Sequence, residues 1–155
     1  MTPFYSKAYL STQVNTSDPL ALVIAMYEAA IANVTQAMEA IEAGDTEKRG
    51  RTIGRTSEIL MALSEALDYT QQHQIAGRLF CLYNTQLELL LKANRENDLE
   101  SLQAVKSTLS IVLSGWHEAA RSPEAAELRE ASCQMVPAAR RPVASSERLA
   151  VAMTA

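Results

Sequence analysis

Apolar residues recur every three or four positions through four successive stretches of this chain, with only a few residues between one stretch and the next. That spacing gathers apolar side chains on one face of an α-helix, whereas a strand would need alternation every second residue. Helices of this kind bury their stripes against one another, and short connections make sequence neighbours antiparallel. The expected fold is all-α: an antiparallel up-down four-helix bundle over 18–121, preceded by a short N-terminal segment, 1–17. A short fifth helix and a tail would follow over 122–155.

The breaks between stretches carry helix signals. Asp18-Pro19 marks the first start, because Asp can accept bonds from orphan first-turn amides and Pro suits the first helical position. This helix should run to about Ala43, before Gly44-Asp45, with Leu20, Val23, Tyr27, Ile31, Val34, Met38 and Ile41 inward. A second helix is expected after Asp45, with Glu47 at its positive end, continuing to about Tyr69 along a seam of Ile53, Leu60, Leu63 and Leu67. Gly50 and Gly54 weaken its first turns by roughly 1 kcal/mol each relative to Ala, so that end is expected to fray.

The third helix, from Gln72 to about Arg95, does not fit a single stripe. Ile75, Leu79, Leu82, Leu89 and Leu90 describe one face, while Phe80, Tyr83, Leu87 and Leu91 spread to another. A helix apolar on several sides is either central in its bundle or contacts a partner. Asn97-Asp98 caps a fourth helix to about Arg121, with Leu102, Val105, Leu109, Val112, Leu113 and Trp116 at helical spacing. Ser122-Pro123-Glu124 offers the start of a short helix to about Cys133, after which Pro137, Arg140-Arg141 and Pro142 break any long pattern. Residues 134–155 read as a flexible tail.

Composition narrows the function classes. At 155 residues the chain suits one domain, able to bury about two thirds of its unfolded surface. Hydrophobic residues make up 48% and aromatics 5%, as in helical bundles. A net charge of -4 gives no general attraction to nucleic acid or anionic lipid. Cys81 and Cys133 are too few and too distant for a disulfide scaffold or zinc knuckle and fit reduced thiols of a cytosolic protein. No basic and then apolar leader opens the chain, and the apolar stretch Leu20 to Ile31 contains Glu28 and is followed by Asn33, Thr35 and Gln36. It is read as falling short of a membrane span, so a cytoplasmic protein without membrane insertion is expected.

Catalytic chemistry finds little purchase. The histidines are His73 and His117, neither three residues after a Glu, and there is no HExxH or CxxC. No catalytic, metal or cofactor site is expected, and His117 reads as a surface residue near a helix end. Gly50-Arg51-Thr52-Ile53-Gly54 has the wrong spacing for a phosphate cradle or nucleophile elbow. The cluster Lys48, Arg49, Arg51 and Arg55 reads as a solvated helix start in preference to a contact for an acidic partner.

The N-terminal pattern Ala8-Tyr9-x-x-x-Gln13-Val14-x-Thr16-x-x-Pro19-x-x-Leu22-Val23-x-x-Met26-Tyr27-Glu28-x-Ala30-Ile31 resembles the opening of the FliS family of flagellin export chaperones. The likeness continues through Ile41-Glu42-x-Gly44-Asp45, Leu67-Asp68, Ile75-Ala76, Leu82-Tyr83, Leu90-x-x-Ala93-Asn94 and Asp98 to Trp116-x-Glu118-Ala119, covering about 1–121. The chain departs from the pattern at Gln72-His73, where paired glycines are usual, and at Thr85 and Gln86, where an aromatic and a Met are common. Its tail after 121 is longer than the family leads one to expect.

The resemblance implies a cytosolic chaperone that binds the disordered C-terminal segment of flagellin, prevents premature polymerisation and assists delivery to the flagellar type III export apparatus. It implies no catalysis and no cofactor; an export gate component and a second copy are further partners it leaves open. Coupled folding of the client would consume roughly 2–5 kcal/mol of the gross interaction energy. Candidate contacts are Phe80, Tyr83, Leu87 and Leu91, with Tyr83 preferred because its hydroxyl suits a wet rim. The competing reading has a central third helix burying all four. Tyr5, Tyr9 and Val14, with Gln13 beside them, either cap the empty groove or simply pack on the bundle. Ser145 to Ala152 could fold onto the groove as an internal mimic, with disorder the favoured alternative. The rival function is a non-catalytic helical adaptor or regulator that binds another export component or itself.

Overall fold

The computed structural model describes residues 18–70 and 73–127. Four long helices follow in order: α1 Pro19–Ala43, α2 Thr46–Glu65, α3 His73–Glu96 and α4 Leu99–Ala120. Helical residues resume over 123–127, where the Ser122 hydroxyl accepts from the Ala125 amide at 3.2 Å. Among the described residues there is no strand. α1 packs against α2 and α4, and α3 against the same two, so α1 and α3 lie across a diagonal of an up-down bundle.

Aspartates set three of the four starts. Asp18 Oδ1 accepts from the Leu20 amide at 3.1 Å, Asp45 Oδ1 from Lys48 at 3.0 Å, and Asp98 Oδ1 from Glu100 at 3.1 Å. Each supplies an acceptor that the first helical turn cannot provide for itself. Asp98 also accepts from the Ser101 hydroxyl at 2.7 Å and pairs with Lys92; these contacts hold its carboxyl below the usual carboxylate range. Gly44 closes α1 in the left-handed conformation, φ 70°, returning its amide to the Ala40 and Ile41 carbonyls.

The inward face of α1 differs from the expected one. Its fully buried residues are Tyr27, Ala30, Val34, Ala37 and Ala40, whereas Val23, Ile31, Met38 and Ile41 flank the core half-buried. The alanines let neighbouring helices approach the α1 backbone, and the larger side chains spread sideways along both seams. This helix is also long and apolar enough to cross a membrane, correcting the shorter reading of its apolar run. In the fold that apolar face meets α2 and α4.

α2 ends at Glu65, a turn earlier than expected. Asp68 accepts from both the amide and the hydroxyl of Thr70, a local turn that competes with helix continuation. Leu67, beyond the helix, still packs on the core. At the other end Thr46 to Gly54 is helical, and Arg49 ties it to the α3–α4 connection by donating to Asn94 Oδ1 at 3.1 Å and to Asn97 Oδ1. Lys48 pairs with Glu39 of α1, and Arg51 with Glu47. Lys48 and Arg49 thus join α2 to neighbouring elements, while the exposed Arg51 pair stays within α2.

A methyl group at Gly50 or Gly54 would meet nothing within 4 Å. The glycines therefore lower helix stability without serving a close approach. Gly50→Ala and Gly54→Ala should each add about 0.5–1 kcal/mol, read as a higher urea midpoint by circular dichroism. A lower midpoint would reveal a contact that needs the bare backbone.

Candidate functional site

Near the start of α1 three aromatic residues from three helices converge. Tyr27 of α1 and Tyr83 of α3 share a buried hydrogen bond, hydroxyl to hydroxyl, at 2.6 Å across the bundle diagonal. Their rings are tilted with centroids 6.3 Å apart, and Trp116 of α4 stands the same distance from Tyr27, also tilted. Burial pushes both phenols above the ordinary 10.0. The Trp116 indole N–H and the Tyr83 hydroxyl oppose that rise at Tyr27, while Tyr27 reinforces it at Tyr83. The indole N–H itself is buried without a hydrogen bond of good geometry.

Tyr83 and Trp116 also line a cleft of about 260 Å³ that opens to solvent at this end of the bundle. Val23 of α1, Leu63 and Leu67 near the end of α2, and Ile75, Ala76 and Leu79 of α3 complete an apolar wall, with Asp68 in the lining. The position of the cleft follows from the topology: α1 and α3 begin here, and α2 and α4 end here.

The sequence-predicted contacts divide. Phe80 and Leu91 are exposed, 43% and 67%, and Leu87 is half-buried against the core. Positions 80, 87 and 91 return to one side of α3, so the three form a stripe. Tyr83 is corrected: at 1% exposure with its hydroxyl bonded to Tyr27, it is an interior residue and not a wet-rim one. Ile75, assigned by spacing to the core face, is 53% exposed at the cleft edge. α3 is thus not the helix that buries its apolar residues all round. Tyr5, Tyr9, Gln13 and Val14 lie outside the described residues, as do Cys133 and Ser145 to Ala152. Spacing did not reveal the cleft, because its wall is assembled from the ends of separate helices.

Other singled-out groups lie apart from this cleft. His117 Nε2 is 3.7 Å from Glu28 Oε1, joining α4 to α1 at the surface. Cys81 is exposed. Among the described residues no group of three or more His, Cys, Asp or Glu could hold a metal ion.

The tyrosine pair makes two linked predictions. Tyr27→Phe or Tyr83→Phe should each cost about 1–3 kcal/mol by stranding the remaining hydroxyl, and the double variant should cost less than their sum. Because both folded-state pKa values are raised, stability is fully present below the unfolded value near 10.0 and falls as pH rises above it. The slope is about 1.4 kcal/mol per pH unit for each tyrosine that ionises only on unfolding. Urea midpoints between pH 8 and 11 should show this fall in the parent and lose it in the double variant.

The family described as "Flagellar protein FliS" matches residues 1–123. The flagellar secretion chaperone FliSB of Pseudomonas aeruginosa is 31% identical over 112 residues, 72% of this chain and 89% of that protein. The flagellar secretion chaperone FliS of Campylobacter jejuni is 31% identical over 111 residues, 72% and 87% of the two chains. That of Bacillus subtilis is 24% identical over 115 residues, 74% and 85%. A match spanning all four helices, joined to the bundle those helices build, shows that the chain belongs to the FliS family.

Proposed function

We propose that this flagellar export chaperone works by holding the C-terminal segment of flagellin against α3 and the adjoining cleft, in the cytosol and without catalysis. The observation that carries the reading is the apolar surface α3 leaves uncovered: the Phe80, Leu87 and Leu91 stripe, with Ile75 at the mouth of the cleft. Exposed apolar surface rimmed by polar residues is characteristic of interaction sites, and a helical stripe beside a groove suits an amphipathic client segment. The relatives' names supply the process, flagellar secretion. Tyr5, Tyr9, Gln13 and Val14 would add contacts from the chain ahead of α1.

Calorimetry with full-length flagellin and with flagellin lacking its C-terminal segment tests the client. Binding should be lost on truncation, and binding that survives would favour the adaptor reading. Phe80→Asp and Leu91→Asp should each weaken binding at least tenfold, about 1.4 kcal/mol or more. Their melting temperatures should stay near the parent's, because both residues are exposed. Tyr83→Ala should lower the melting temperature strongly, in keeping with its interior position. Unchanged affinity in both aspartate variants would remove the stripe from the contact surface.

A further inference from the structure

The chain continues for 28 residues beyond Glu127, and the family match stops at residue 123. We propose that the segment from Ser145 to Met153, apolar over Leu149–Met153, docks into the cleft beside Trp116, occupying it until a client displaces it. The inference rests on the client reading for its consequence, but not for the docking itself.

Charge supports this occupant. Residues 128–155 carry four arginines and two glutamates, a balance of +2. Residues 18–127 carry nine basic and sixteen acidic side chains, a balance of -7. The imbalance is concentrated at the cleft end. Taking 18–31, 55–70, 73–84 and 110–127 as that half, there are eight acidic and three basic side chains, against eight and six in the remainder. Within the segment Glu147 balances Arg148, so the positive charge sits on the connector at Arg140 and Arg141; it draws the tail toward this half of the bundle, and Asp68 lines the cleft itself.

Shape and reach agree. Leu149 and Met153 stand four residues apart, and Val151 lies between them, so a helical or an extended segment can offer apolar side chains to the cleft wall. Arg148 would then lie at the mouth. The connecting residues, 128–144, span roughly 20–25 Å as a coil and more when extended. α1, the longest helix at 25 residues, measures about 37 Å, and α4 already ends at the cleft. A tether of this length presents its end at roughly millimolar effective concentration, so even weak apolar docking is populated.

Trp116 is the only tryptophan and lines the cleft, so its emission reports occupancy without any client. In the full chain, Leu149→Asp/Met153→Asp should red-shift that emission and raise acrylamide quenching at least twofold. High salt should move the parent the same way. Quenching identical in parent and variant would overturn the proposal, as would an effect produced by Tyr5→Ala/Tyr9→Ala and not by the tail. A difference that grows with protein concentration would assign the contact to a second copy and overturn the intramolecular form. With the tail displaced, the affinity for a flagellin C-terminal peptide should rise threefold to tenfold. Altered quenching with no flagellin binding would uphold the docking and sink the client reading; binding with unaltered quenching would do the reverse.

Discussion

The hydrogen bond between Tyr27 and Tyr83 is the contact on which the rest of the arrangement turns. α1 and α3 sit on the diagonal of the bundle, and their main packing partners are α2 and α4. The two phenols are long enough to meet across the middle, and each satisfies a polar group that would be costly to bury alone. A diagonal tie adds a directional contact between α1 and α3 to the non-directional packing each makes with α2 and α4. Trp116, tilted against Tyr27, extends the same constraint to α4. The inner wall of the cleft is thus pinned from three helices.

The helices share the interior unequally. α1 places alanines at its innermost positions and draws its neighbours close, whereas α3 presents Tyr83, Gln86 and Leu90 inward and leaves Ile75, Phe80 and Leu91 outside. The buried Gln86, whose Oε1 lacks a hydrogen bond, adds a polar group to an interface that apolar residues would close more tightly.

Helix starts were legible because caps are local chemistry. Asp18, Asp45 and Asp98 need only the following amides to act. The stripe of α4 was legible too, since Leu102, Val105 and Leu109 repeat on one face. What could not be read depends on partners distant in sequence. Ranking by hydrophobicity favours Ile31 over Ala30 on α1, although close packing prefers the smaller residue at the seam. On α3 the apolar residues cover so much of the circumference that spacing cannot say which belongs inside; Tyr83 is settled by Tyr27, 56 positions away. Nor does spacing show that Arg49, near the start of α2, donates to Asn94 at the end of α3 and to Asn97 just beyond it.

The placement of the remaining exposed apolar residues bears on what kind of partner can cover them. Met61 lies on α2, Phe80 and Leu91 on α3, and Ile111 on α4, so they are spread over three helices. Along α3 alone, Phe80 and Leu91 are eleven residues apart, about 16 Å. A compact partner docking on a flat surface would reach some of these sites and leave others wet. A segment without fixed structure can follow the bundle and cover them in succession, accepting the entropic cost of ordering in exchange for contact over a wide surface. On the chaperone reading, the dispersal that makes this surface a poor site for a folded partner is what suits it to a disordered one.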